Sequence, residues 1–218
     1  MNTRLVDKLE HYLSSDQDFQ AIYIYTKARF EAATGLYAHN FEHARRDVLN
    51  AIMIGEPEAA DMHIVLCAAV MHDIGYLYGA ARDIHGQVGA EKLADYLAAG
   101  KIDLDPAEQT RIAACIRTHK GLVQGIEPET LEARVVADAD HLDKYGPIGV
   151  YQGTLALSEF GLTASQIIER YKTSRDLPMF TATANKLAND RKLFSKNFEQ
   201  AFVSAYAPYL ATELKEQL

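Results

Sequence analysis

Apolar residues along this chain recur mainly at the three- and four-residue spacing of an α-helix, with no strand-like alternation of any length. The pattern predicts helices over 18–33, ending before Gly35, and over 40–54, closed by Gly55. Pro57 sits where a helix favours its first residue, and the stretch 58–72 that follows is apolar nearly all round. A helix without a polar face belongs at the centre of a molecule, and Gly75 is expected to stop it. Further helices are predicted over 82–99, 106–119, 128–142, 163–172 and 183–207. Asp105 with Glu108, and Thr163 with Gln166, have the spacing of capping boxes. There are no repeats and no low-complexity linker. The expected architecture is all-α, a helical bundle in one domain over 1–218, with a motif-bearing core at 37–150 and a helical extension over 151–218.

Composition narrows the function. With 48% hydrophobic and 24% charged residues in 218 positions, the chain can bury a sizeable core. Its 30 acidic against 22 basic residues give a net charge of −8, the wrong balance for a protein whose main partner is long nucleic acid. The longest apolar run, 64–71, is too short to span a bilayer, so no membrane role is expected. The start, MNTRLVDKLEHYL, is broken by charge and has no apolar secretory segment, which points to a cytoplasmic protein. Cys67 and Cys115 lie inside apolar helical patterns and read as reduced core residues, not as a disulfide framework.

The candidate chemistry lies in the histidines. A lone His-Asp pair is weak, since chance alone supplies roughly half of one in a chain of this composition. His72-Asp73 gains weight from its place at the end of the most apolar helix, in AAVMHDIGY, where ionisable groups must be satisfied. His39 and His43 are four apart, and so share a helical face if the helix begins by Asn40. His119 shares a face with Ile112, Cys115 and Ile116. In VVADADHLD, Asp140 is expected to face inward and Asp143 to sit on the solvated outer face. Each of these residues alone has an ordinary structural reading. Together, spread over four or five helices, they suggest a shared cation.

The blocks YAHNFEHARRDV, AAVMHDIGY and VVADADHLDKYGPIGV place His43, His72-Asp73 and Asp140 in the order H…HD…D. In this the chain resembles the HD superfamily of metal-dependent phosphohydrolases, over roughly 37–150. The resemblance implies a helical bundle around a divalent metal held by His43, His72, Asp73 and Asp140, with Asp140 and not Asp138 at the family's Ala-Asp position. Dinuclear members of the family have histidines in the intervals where His85 and His119 fall. By position, His43, His72 and Asp140 would hold one ion, His85 and His119 a second, and Asp73 would bridge. Four imidazoles and two carboxylates suit Fe, Mn, Co, Ni or Zn. The alternative is one ion, with His85 and His119 touching substrate or supporting the ligands.

His39 resembles the histidine in the Tyr-His-Asn block of cyclic nucleotide phosphodiesterases, which donates a proton to the leaving oxygen. Here an extra Ala separates it from Tyr37, and the spacing after His43 is one residue longer; a hydrogen bond at the helix start is the other reading. Candidate cations for a phosphate are Arg46, Arg82, Lys120 and Lys144, led by Lys120 and Lys144 because they follow proposed ligand blocks. Arg175, Lys186 and Arg191 could close over the mouth, and Tyr76 and Tyr78 could line it. His11, His63 and His141 are set aside as structural or exposed.

The expected function is hydrolysis of a phosphoester of a small metabolite by metal-activated water, with a nucleotide as the favoured substrate class. A mixed-valent di-iron oxygenase built on the same ligand order is the alternative, and a metal-binding sensor the third. Oligomeric state is not legible.

Overall fold

The computed structural model describes residues 3–121, 125–163, 166 and 178–210. Among them there is no strand, and the all-α expectation holds. The helices are α1 (Thr3–Ser15), α2 (Gln17–Ala32), α3 (Phe41–Gly55), α4 (Met62–Met71), α5 (His85–Ala99), α6 (Pro106–Thr118), α7 (Leu131–Asp143), α8 (Gly146–Phe160) and α9 (Ala182–Leu210), with a 3₁₀ helix over Ile74–Tyr78. No described helix is long and apolar enough to cross a membrane.

Helix α4 is the axis. Every residue from Ile64 to Met71 is buried, and α2, α3, α6 and α7 pack around it. Four polar side chains start four of these helices by accepting orphan amides. Asp16 accepts from Phe19 N at 2.9 Å, Asn40 from His43 N at 3.2 Å, Asp105 from Ala107 N at 2.7 Å and Thr130 from Ala133 N at 3.1 Å. The Thr163–Gln166 box has both of its reciprocal bonds, at 2.8 and 3.4 Å, while the rest of that predicted helix lies outside the described residues.

Three sequence expectations are corrected. Pro57 does not open the central helix: 56–59 is a turn with Ala59 at φ 56°, and Asp61 caps α4 instead. Gly75 does not end α4, which stops at Met71 before the 3₁₀ helix. Helix α1, outside the helices that periodicity predicts, packs on α2 and α3, and α8 begins at Gly146, before the expected 151–218 extension, and packs on α7 and α9.

Asp138 explains how the C-terminal part attaches. It accepts from Phe180 N and Thr181 N, both at 2.8 Å, and from Thr181 Oγ1 at 2.7 Å, so α7 pins the start of α9. Its role is in the scaffold.

Glycines set a close approach beside the His-Asp turn. A Cβ on Gly75 would lie 2.0 Å from the His85 carbonyl oxygen, and one on Gly86 3.1 Å from the His119 ring. Gly89 is similarly tight, 3.2 Å from Gly75 N. These three positions let the start of α5 press against the His-Asp turn and the end of α6. Gly75→Ala is expected to destabilise the fold by about 1–3 kcal/mol, since backbone must move to admit a methyl group. Urea unfolding would measure it; an unchanged midpoint would contradict this packing.

Candidate metal centre

His43 is the third residue of α3, His72 caps the end of α4, Asp73 follows it, His85 opens α5, His119 caps the end of α6, and Asp140 lies on the last turn of α7. All six are buried. Helix ends deliver most of these side chains, so their backbones converge where the helices themselves stop.

The four imidazoles share one arrangement. His72 Nδ1 lies 2.8 Å from Ala69 O, His85 Nδ1 2.6 Å from Arg82 O, and His119 Nδ1 2.7 Å from Ile116 O. His43 Nδ1 lies 2.9 Å from Asp143 Oδ2. Every Nδ1 therefore donates outward and every Nε2 is turned inward, so that loss of any proton there leaves the lone pair a metal ligand needs. The inward atoms are close. His72 Nε2 is 3.3 Å from His43 Nε2, and His85 Nε2 is 3.0 Å from His119 Nε2. Donors about 2.1 Å from a common ion sit about 3.0–3.4 Å apart, so these spacings match neighbouring ligands on a shared cation.

Asp73 lies between the two imidazole pairs. Its Oδ2 is 3.2 Å from His72 Nε2 and 3.5 Å from His43 Nε2, while Oδ1 is 3.1 Å from His85 Nε2 and 3.6 Å from His119 Nε2. Asp140 Oδ1 faces His43 Nε2 at 3.6 Å. Both oxygens of Asp73 and Oδ1 of Asp140 are buried without a hydrogen-bond partner, as are both oxygens of Asp47. Such orphaned acceptors cost several kcal/mol in a dry interior, and a divalent cation satisfies them together. The donor set thus fits the metal that the sequence resemblance implies. Two groupings have all their ligand atoms within 4.8 Å of one another: His43, Asp47, His72 and Asp140, and His72, Asp73 and His119.

The surroundings correct several expectations. Asp143 is not on a solvated face: it is 2% exposed, orients His43, and takes Arg46 Nε and Nη2 at 2.8 and 2.9 Å. Arg46 is thereby committed to Asp143 and to Gln152 Oε1 at 2.8 Å, which removes it from the phosphate candidates. Lys144 and Lys120 both point at Asp140 Oδ2, at 2.6 and 3.4 Å. Burial opposes ionisation of Asp140, yet Lys120 and Lys144 hold it well below the usual carboxylate range. Arg191 reaches Leu142 O at 3.4 Å, and Arg175 lies outside the described residues. Tyr76 stacks on His85 with ring centroids 4.3 Å apart, whereas Tyr78 is exposed, near Lys92. His141 is buried, with Nδ1 3.3 Å from Pro178 O, and His63 lies by Asp16.

His39 sits beside the cage, with its ring 4.5 Å from Tyr76 and 5.8 Å from His43. Its Nδ1 is paired with Glu159 Oε1, while Glu159 Oε2 accepts from the Ala38 and His39 amides. Gln152, two turns earlier on α8, donates to Ala38 O. Helix α8 thus clamps the 38–39 segment. Burial pushes the His39 imidazole down to about 4, against the pull of Asp73, so it is neutral at pH 7 with Nε2 as the atom left for chemistry. Glu159, Gln152 and Asp47 are the residues that sequence reasoning missed, and Asp143 the one it placed on the wrong face.

The HD domain family model matches residues 40–145, the interval that runs from the α3 cap past Asp140. The chain belongs to the HD superfamily. The matched interval contains the buried His/Asp cluster that could hold a metal ion. The HD protein is 28% identical over 171 residues to an uncharacterised protein of Bacillus subtilis, YpgQ, covering 73% of this chain and 80% of YpgQ. YpgQ has been solved in complex with ADP, and that structure superposes with a TM-score of 0.64 at 21% identity, over 86% of this chain and 97% of the other. A protein of Lactobacillus plantarum matches with a TM-score of 0.71 at 24% identity, over 89% and 99% of the two chains. A predicted HD superfamily hydrolase from an uncultured Thermotogales bacterium gives 0.59 at 24% identity, over 86% and 92%. Structural likeness at such identities establishes the fold and nothing finer.

The imidazole pairs differ in charge. Burial opposes protonation of both His43 and His72, but Asp47 and Asp143 hold His43 above its ordinary value, and Asp73 with Asp47 holds His72 at about 9. Burial, reinforced by Lys120, lowers His85 and His119 instead. A raised folded-state pKa means the proton is bound below about 9 and must leave when a cation takes its place. Metal affinity should therefore climb as pH rises through 7–9 and level off above, with proton release on binding. Titration calorimetry in two buffers of different ionisation heat would detect the released proton; pH-independent binding without release would contradict these electrostatics.

Proposed function

We propose that this HD protein is a metal-dependent phosphohydrolase acting on a phosphoester of a small metabolite, with a nucleotide as the substrate class. The observation that carries this reading is the convergence of four outward-anchored imidazoles with unpartnered carboxylates, flanked by two lysines and by the His39–Glu159 pair. The ADP complex of YpgQ supports the nucleotide.

His43, His72 and Asp140 would hold one ion, His85 and His119 a second, and the two oxygens of Asp73 would reach both. Fe, Mn, Co, Ni or Zn suits this nitrogen–oxygen set. When bound, such ions lower the pKa of water toward neutrality and offset phosphate charge. The chain supplies the rest. Lys120, more loosely held on Asp140 at 3.4 Å than Lys144 at 2.6 Å, turns from it to a phosphate oxygen when substrate binds, while Lys144 stays and keeps that carboxylate ionised. His39 is neutral at rest, so its role as proton donor requires that it first receive one. Its Nε2 accepts the proton of the attacking water and passes it to the leaving oxygen as the old phosphorus–oxygen bond breaks and the new one forms. Glu159 holds the ring in that tautomer throughout.

The di-iron oxygenase alternative uses the same cage, and the products separate the two. Purified protein should release phosphate from a nucleotide panel with Mn, Co or Ni and consume no oxygen. Asp73→Ala should abolish both metal content and turnover. His119→Ala should lower metal content from about two ions per chain to one. Iron-dependent oxygen uptake without phosphate release would overturn the proposal, and an unchanged metal count in His119→Ala would remove its two-ion form.

A further inference from the structure

We propose that Asp47 is a metal ligand, a third carboxylate on the ion held by His43, His72 and Asp140. This rests on the metal-centre reading above. Asp47 lies one helical turn after His43 on α3, is 1% exposed, and turns its carboxylate to the same point as the two imidazoles. Its Oδ2 is 3.5 Å from His43 Nε2 and 3.4 Å from His72 Nε2, the separations of neighbouring donors on one cation. Neither oxygen has a hydrogen-bond partner. The obvious protein donors are spent elsewhere. Arg46, next in the chain, is bound to Asp143 and Gln152; Asn50, one turn on, gives its amide to Ala139 O at 3.2 Å. Lys144 and Lys120 are on Asp140. A buried carboxylate with no hydrogen-bond partner, whose nearest polar neighbours are the Nε2 atoms of two proposed ligands, fits a further ligand on the ion that displaces their protons.

The consequence is asymmetry between the two halves of the centre. With Asp47, the first half offers two imidazoles and up to three carboxylates, five donors in all, which nearly fills a six-coordinate shell. The second half offers His85, His119 and one oxygen of Asp73. Added oxygen donors help harder ions most, so Asp47 should strengthen Mn binding more than Zn binding, and the open positions that substrate phosphate needs lie mainly on the His85–His119 side.

The test is metal binding by the full chain, read with a competing chelator dye, for wild type, Asp47→Asn and Asp47→Ala, using Mn²⁺ and Zn²⁺ as probes. Both variants should bind Mn²⁺ at one site at least ~100-fold more weakly, beyond the 10–100-fold typical of residues that merely support ligands, with a smaller loss for Zn²⁺. In chelator, without metal, any drop in melting temperature should be smaller than the drop with metal, because the contribution of a ligand is then absent from all three proteins. The metal-induced rise in melting temperature should shrink. Unchanged Mn²⁺ affinity overturns the proposal. So does a loss of stability in chelator as large as that with metal, or failure of both variants to fold there, since either marks a scaffold role. Wild type that binds neither ion would instead sink the metal-centre reading itself, and this inference with it.

Discussion

The structure depends on one constraint: several carboxylates and imidazoles are buried at a single point where the protein supplies too few hydrogen-bond donors. Asp47, Asp73 and Asp140 all keep buried oxygens without a partner, within reach of four inward-facing Nε2 atoms. A protein interior tolerates an unpaired ion only at a cost of several kcal/mol, and here the cost recurs at neighbouring groups of like charge. Lys120 and Lys144 on Asp140 and the charge held on His43 and His72 offset part of it, but no described group satisfies all of these oxygens together. A divalent cation does, by replacing repulsion among acceptors with attraction to a common centre.

The scaffold is organised around keeping those donors turned inward. Backbone carbonyls at Ala69, Arg82 and Ile116, each three residues before the histidine it orients, fix three rings, two at the last turns of α4 and α6 and one in the turn that leads into α5. The fourth is set by a chain of contacts running from α8 through Gln152 and Arg46 to Asp143 and His43. The same helix holds His39 through Glu159. Gly75, Gly86 and Gly89 then allow the His-Asp turn, α5 and α6 to approach more closely than any side chain would permit. Stability and site geometry are therefore coupled: what packs the helix ends also sets the donor spacing.

The outline of this arrangement was legible from the residues. Helical periodicity and the all-round apolar character of α4 led to the all-α fold, and the order of His43, His72-Asp73 and Asp140 led to the family. Much of the remainder lay beyond one-dimensional reading. Asp143 stands three residues after Asp140, so it shares the inner face, but at a helix end the same spacing suits a solvated carboxylate equally well. Asp47 follows His43 at the four-residue spacing, a signal that was present but hidden by the neighbouring Arg46, whose charge drew the phosphate reading. Gln152 and Glu159 share a face of a helix whose weak apolar pattern did not announce it, and their meaning comes only from the 38–39 segment they hold, over a hundred positions away. The division of Asp73 between two imidazole pairs is a fact of distance that no spacing in the chain encodes.

The central claim is that these side chains close on a shared cation. Anomalous diffraction from crystals grown with Mn²⁺ tests it most directly. The account predicts an anomalous peak within about 2.5 Å of both His43 Nε2 and His72 Nε2 and of a carboxylate oxygen of Asp73 or Asp140. A well-ordered crystal in which those atoms keep their positions while no peak lies among them would contradict it.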